Sequence, residues 1–255
     1  MTLQARRSVH PGAGRRTNSR STAGVALGSA LVGLLTAGCT MFGPSARDPG
    51  DPQTQTRTVS AVSAVDLAAA GELVLTAGST PSLHITAGRN VLPHLTSDIQ
   101  GDRLTLGHDG STGDLGLVHY DLVLPAAQVV ELSGAGTVRV TATRTLQKVL
   151  LPGSGIVRAE GLSTEELTVD LPGSGQITVA GSATRQRITI SGSGRYSAAG
   201  LTSEDADVTI SGSGSADVEA RHTLTATVSG NGAITYTGDA IVTSSITGHG
   251  TVVHR

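Results

Sequence analysis

Tryptophan is absent and aromatic residues make up 2% of the 255-residue chain, with three Tyr and one Phe. This removes the stacking platforms that bind bases or sugar rings, and no basic cluster takes their place. Cys39 is the only cysteine, so an internal disulfide is excluded and no Cys stands beside a His at zinc spacing. No Gly-Lys-Ser/Thr follows a glycine-rich turn, which excludes a P-loop. A long helical period is also missing.

Charge is unevenly placed. Residues 1–38 hold Arg6, Arg7, Arg15, Arg16 and Arg20 and no acid, while the remainder carries 13 Lys/Arg against 20 Asp/Glu, a formal net charge of -7. An acidic body argues against nucleic acid as a partner. The basic leader runs into an apolar stretch over Ala23–Leu35 and ends Leu35–Thr36–Ala37–Gly38–Cys39. The stretch has signal-peptide length and is short for a membrane span.

What the chain has in abundance is glycine, and the glycines are paced. Gly-x-Gly recurs at Gly134/Gly136, Gly153/Gly155, Gly173/Gly175, Gly192/Gly194, Gly212/Gly214, Gly230/Gly232 and Gly248/Gly250, with intervals of 19, 20, 19, 20, 18 and 18 residues. Two positions before each pair stands an aliphatic residue: Leu132, Leu151, Leu171, Ile190, Ile210, Val228 and Ile246. Four before stand Val130, Val149, Val169, Ile188, Val208, Ala226 and Ser244. The same alternation resumes after each pair, as in Val138/Val140 and Ile177/Val179, which is strand periodicity.

Each unit therefore reads as strand, bend, strand and variable return. A repeat that cannot bury its own apolar face must stack on its neighbours. The expected fold is all-β: a parallel β-solenoid of about seven coils of 18–20 residues, with the fourteen glycines at the bends, where they permit positive φ or close backbone approach. The alternative is an antiparallel β-sandwich or prism with hairpins at the glycines.

The expected organisation is a signal peptide over 1–38, then Cys39 and a flexible linker to 58, rich in Pro, Gly, Gln and Thr. The solenoid domain occupies 59–255, with 59–125 as hairpins or irregular first coils that cap the ladder and 126–255 as the Gly-x-Gly array. The last short strand, around Thr251–His254, leaves an open edge that charge, trimming or a partner must cover.

Chemistry is harder to find. His84, His94, His108, His119, His222, His249 and His254 form no ligand pairs; His108 with Asp109 and Asp114 is the nearest approach to a metal cluster. Carboxylates at Glu165–Glu166, Glu204–Asp205–Asp207 and Asp217–Glu219 would need a defined separation across a cleft to cleave a glycoside. The bend serines Ser154, Ser174, Ser193 and Ser213 recur without a recurring histidine base. No metal, cofactor or catalytic group is expected.

Cys39 and the residues before it resemble the lipobox of bacterial lipoproteins, Thr36 departing from the aliphatic residue usual at its position. That implies lipidation of Cys39 and attachment to membrane lipid; an inert thiol in an uncleaved anchor is the alternative. The body, from Val62 to about Gly250, resembles the bacterial DUF2807 group of autotransporter adhesins with a head GIN domain. The resemblance rests on Val65–Asp66–Leu67, Gly71–Glu72–Leu73–Val74–Leu75, Gly101–Asp102–Arg103–Leu104–Thr105–Leu106, Val130–Glu131–Leu132–Ser133–Gly134–Ala135–Gly136 and the repeated Ser–Gly–Ser–Gly phrases. It implies an exported, non-catalytic binding module on the extracytoplasmic face, with a cell-wall polymer or an envelope protein as partner. A structural or signalling-accessory lipoprotein is the competing class, and a carbohydrate-active β-helix enzyme a distant third.

Overall fold

The computed structural model describes residues 48–110, 115–141 and 144–255. The signal segment and Cys39 lie outside them. The described residues belong to one compact unit.

The chain begins with β1 (Pro52–Arg57), β2 (Ala64–Leu67) and β3 (Glu72–Ala77), then β4 (Ser82–Gly88), β5 (Leu95–Gln100), β6 (Arg103–His108) and β7 (His119–Leu124). β2 and β3 make a coil, and β6 and β7 make another that lies in parallel register on it, Val65 beside Leu104 and Leu75 beside Leu122. β8 (Val129–Glu131) and β9 (Thr137–Thr141) then stack on the opposite side of β2 and β3. The first coil in the sequence is therefore second in space.

Antiparallel strands finish this end. β4 pairs with β7, β5 with β6, and β1 with β4. Residues 52–57, expected to be flexible tether, are strand instead. Their Thr and Gln side chains suit an exposed edge: Thr54 meets the Thr86 hydroxyl at 2.8 Å, Thr56 meets His84 Nδ1 at 3.0 Å, and Arg57 donates to Ser97 Oγ and the Leu92 carbonyl, both at 3.2 Å. Pro52 is tolerated because it opens an edge strand.

The array continues through β10 (Lys148–Leu150), β11 (Ile156–Leu171), β12 (Gln176–Ile190) and β13 (Arg195–Ile210), then β14 (Ser215–Glu219), β15 (Thr223–Val228), β16 (Ala233–Thr237), β17 (Ile241–Ile246) and β18 (Thr251–His254). Every pairing within it is parallel. The fold is the parallel β-solenoid, and the antiparallel alternative is set aside. β11, β12 and β13 each wrap from one face to the next without a break; Gly161 (φ 70°) and Gly181 (φ 134°) turn two of those corners in conformations that other residues resist.

Parallel register turns the sequence period into columns. Leu171, Ile190, Ile210 and Val228 are successive partners and fully buried, as are Val169, Ile188, Val208 and Ala226. Facing them run Val157, Ile177, Tyr196 and Ala216. The small Ala216 follows the bulky Tyr196, so neighbouring coils share the interior volume.

One column holds a polar residue. Gln186 stands between Leu167 and Ala206 and is buried, as is Ser203. Gln186 Nε2 donates to Ser203 Oγ at 2.7 Å and to the Glu219 carbonyl at 3.1 Å, Ser203 Oγ donates to the same carbonyl at 2.6 Å, and the Tyr196 hydroxyl donates to Gln186 Oε1 at 3.1 Å. Burial pushes the Tyr196 phenol far up. Tyr120 contrasts with it: burial pushes its phenol up to about 12, and its hydroxyl has no partner among the described residues.

Candidate functional site

The Gly-x-Gly bends form one continuous edge of the ladder. The glycines are needed there because consecutive coils touch backbone to backbone. A β-carbon on Gly192 would lie 2.5 Å from the Pro172 carbonyl oxygen and closer still to that of Gly173; Gly153, Gly173, Gly212 and Gly230 meet the coil before in the same way. A β-carbon on the second glycine of a pair also meets the buried aliphatic residue of the preceding coil. It would lie 2.6 Å from Leu132 Cδ2 at Gly155, 2.7 Å from Leu151 Cδ2 at Gly175, 2.6 Å from Leu171 Cδ2 at Gly194 and 2.5 Å from Ile190 Cγ2 at Gly214. Gly232 and Gly250 press on Ile210 Cγ2 and Val228 Cγ1 in the same way.

Of the two reasons expected for the glycines, positive φ and close backbone approach, these contacts single out the second. Gly155, Gly175, Gly194, Gly214 and Gly232 are buried and lie just past the bend, where the chain straightens into the next strand; the bend itself falls on the first glycine and the residue after it. Of the fourteen, only Gly248 has positive φ, 120°. Close approach, not left-handed backbone, selects glycine here.

The middle residues of the bends point outward. Ser154, Ser174, Ser193, Ser213 and Asn231 are exposed in a row whose pitch is the strand spacing, about 4.8 Å. At the later bends the amides of Ser213 and Asn231, and of His249 in the bend that follows, donate to the carbonyls of Gly192, Gly212 and Gly230 at 3.2, 3.1 and 3.1 Å. Beside the row, Ile156, Gln176, Arg195, Ser215 and Ala233 follow one another in register. The two rows line an open groove of about 500 Å³, with Gly155, Gly175 and Gly214 in its floor. It offers hydroxyls, amides and one guanidinium, groups that hydrogen-bond a repeating polar chain but supply neither a nucleophile–base pair nor metal ligands.

The other sequence candidates disperse. His108 Nδ1 contacts the Gly110 carbonyl at 2.7 Å and Asp109 faces His94 at 3.0 Å, while Asp114 lies outside the described residues. Among the described residues no group of three or more His, Cys, Asp or Glu is placed to hold a metal. Glu165 and Glu166 lie against arginines, Arg185 at 3.4 Å from Glu165 and Arg187 at 2.7 Å from Glu166, and Asp207 lies 4.0 Å from Arg187 on the next coil. These acids belong to an exposed ion-pair ladder between coils. At the first coils, Glu72 accepts from Arg139 at 2.7 Å and faces His119 at 3.5 Å, and the Arg139 hydrogen bond holds its carboxyl below the usual range. Asp66 shifts the other way because burial outweighs the bond from Ser133.

Gln186 and Ser203 escaped the sequence reading, and with them the bond that Tyr196 makes. The signal was available: Gln186 lies six residues before Gly192, where Leu167 and Leu224 stand before their own glycines. A polar residue in an apolar column marks a buried network.

The family described as "DUF2807: Putative auto-transporter adhesin, head GIN domain" matches residues 62–240. Among solved structures, one described as a putative adhesin from Bacteroides fragilis NCTC 9343 superposes with a TM-score of 0.74 at 20% identity, covering 80% of this chain and 97% of that one. One described as a putative lipid binding protein from Parabacteroides distasonis ATCC 8503 gives 0.68 at 22% identity, with 81% and 97% covered. A putative adhesin from Parabacteroides merdae ATCC 43184 gives 0.64 at 25% identity, again with 81% and 97% covered. No curated protein matches the chain.

Proposed function

The chain belongs to the DUF2807 family, and from that membership we propose a non-catalytic binding module, exported and held by lipid on Cys39 at the extracytoplasmic face of the cell membrane. Its ligand is a cell-wall polymer or an extended segment of an envelope protein, lying along the groove beside the bends. The observation that carries this reading is the fixed row of Ser154, Ser174, Ser193, Ser213 and Asn231. Because a parallel ladder sets their spacing, the row is organised before any ligand arrives, which lowers the ordering cost of binding. A ligand with its own polar repeat meets the same groups coil after coil.

The family name and the adhesin descriptions of the relatives support surface attachment. The lipobox-like run before Cys39 supports the anchor, and more than one acyl chain would make that attachment firm. In cells given a labelled fatty acid, the chain should take up label and lose it on Cys39→Ser.

Retention of residues 45–255 on immobilised cell-wall polymers and on envelope proteins tests the binding surface. Specific retention is expected on one of the two groups, falling about tenfold or more when Ser174, Ser193 and Ser213 are all changed to Glu, which fills the groove with charge but leaves the columns alone. No specific retention on either group, or retention indifferent to the triple change, contradicts the assignment.

A further inference from the structure

A second open cleft, of about 600 Å³, lies at the first coils, where Glu72, His119, Thr137, Arg139 and Arg158 line it. It continues the groove beside the bends. Thr137 in the cleft and Ile156 in the groove are register partners, so one column of outward side chains runs through both. Next to it on the same face a second column runs Arg139, Arg158, Thr178, Ser197, Asp217 and Thr235.

Charge in this trough is arranged unlike charge on the rest of the ladder. Arg185 and Arg187 stand beside Asp205 and Asp207 in register, and Lys148 reaches Asp170 at 2.8 Å. Arg139 and Arg158 stand beside each other, the one register pair of two cations among the described residues. Like charges on neighbouring strands repel. Glu72 offsets part of this, but it accepts from Arg139 Nε at 2.7 Å and leaves the terminal nitrogens of that guanidinium to the cleft. Arg158 is half-buried, and Arg195, two coils on, is exposed; neither makes an ion pair or hydrogen bond among the described residues. From Thr137 to Ala233 the two columns hold three arginines against one acid, Asp217. The chain beyond residue 38 has the opposite balance, 13 Lys/Arg against 20 Asp/Glu.

We propose that the trough takes a polyanion: a polymer with a phosphate or carboxylate in its repeat, one anionic group lying between Arg139 and Arg158 and a later one on Arg195. This rests on the reading of the face beside the bends as the binding surface and narrows its ligand to one chemical class. A guanidinium pairs either anion through two parallel N–H bonds. An anion between two guanidiniums about 4.8 Å apart replaces their repulsion with two attractions. The hydroxyls of the bend row donate to the same oxygens or bond the polymer between its charges. A polymer fits better than an acidic protein segment because the ladder presents the same hydroxyl coil after coil, which a repeating ligand matches along its whole length.

Residues 45–255 are suited to the test because the described residues belong to one compact unit and the solved relatives consist of little else, 97% of each chain being matched. The probes are long-chain inorganic polyphosphate and polygalacturonate, with dextran as the neutral polymer and polyglutamate as the acidic peptide. At least one of the first two should bind, more weakly as salt is raised, and dextran should not. Changing Arg139 and Arg158 together to Gln should weaken that binding about tenfold or more while leaving the melting temperature unchanged or higher, since the change also removes a repulsion. Arg185→Gln, the same loss of charge on another face, should leave binding unchanged. Polyanion binding that ignores the arginine pair overturns the proposal, as does polyglutamate bound in place of both polymers. Retention on a neutral wall polymer or an envelope protein that is lost with the three serine changes but survives the arginine pair overturns this proposal and leaves the binding surface standing. Absence of all retention overturns both.

Discussion

Gly192→Ala is expected to lower stability by about 3 kcal/mol or more, while Ser193→Ala, one residue away, changes it by less than about 0.5 kcal/mol. The added methyl on Gly192 points at two carbonyl oxygens of the coil before, one of them 2.5 Å away. A side chain in that position could rotate aside; a carbonyl held by strand pairing on either side cannot. Relief requires prising two coils apart, which disturbs several columns at once. Ser193 faces solvent, so trimming it touches nothing beneath. Denaturant midpoints and slopes of the two variants check the contrast, and equal stabilities would show that the coils do not approach at the bends as described.

Gln186→Ala should cost about 3 kcal/mol, the sum of a cavity and a stranded Tyr196 hydroxyl. Gln186→Leu refills the volume, matching Leu167 and Leu224 of the same column, so its smaller cost isolates the unpaired hydroxyl. Adding Tyr196→Phe to Gln186→Leu removes that hydroxyl as well and should bring stability back to within about 1 kcal/mol of the parent, since apolar replacement of both partners is nearly neutral. Ser203 retains its bond to the Glu219 carbonyl in every case. Tyr120→Phe is the control: its hydroxyl has no partner to lose among the described residues, and the change should be neutral or slightly stabilising. The same cycle measured by thermal or urea unfolding would contradict the network if Gln186→Leu alone were neutral.

Much of the ladder can be read directly from residue spacing. The even pacing of glycine pairs, with Leu171, Ile190 and Ile210 each two positions before a pair, leads to stacked coils because a period of about 19 residues and a period of two coexist over the same stretch. Alternation alone is shared by parallel and antiparallel ladders, and it is the even repeat length that points to the parallel one. Two features stay hidden for physical reasons. The order of the first coils depends on β6 and β7 returning to the outer side of β2 and β3, a choice made by end-capping and not by any local propensity. β1 looks like a linker because Gln and Thr with flanking Pro suit both a tether and a solvent-facing edge.

The candidate surface divides in the same way. Recurrence of Ser within the bends is plain from the chain, but that these side chains form one straight row follows only from coil stacking. Conformational freedom is the obvious reason for glycine in a repeated turn; contact with the previous coil is the reason the fold supplies, and at Gly175, Gly214 and Gly232 that contact is with an aliphatic side chain of the column beneath. Likewise, acids at Glu165–Glu166 and Asp207 suggest chemistry until Arg185 and Arg187 are placed beside them.

Backbone amide hydrogen exchange at the bends tests the stacking most directly. Ser191, Ser211, Ser213, Ser229 and Asn231 have exposed side chains, yet their amides donate to the preceding coil at 2.8–3.2 Å. They should exchange as slowly as the amides of the buried columns, through opening of the whole domain. Fast exchange at these five positions, as in ordinary surface turns, would contradict a ladder bound together along its bends.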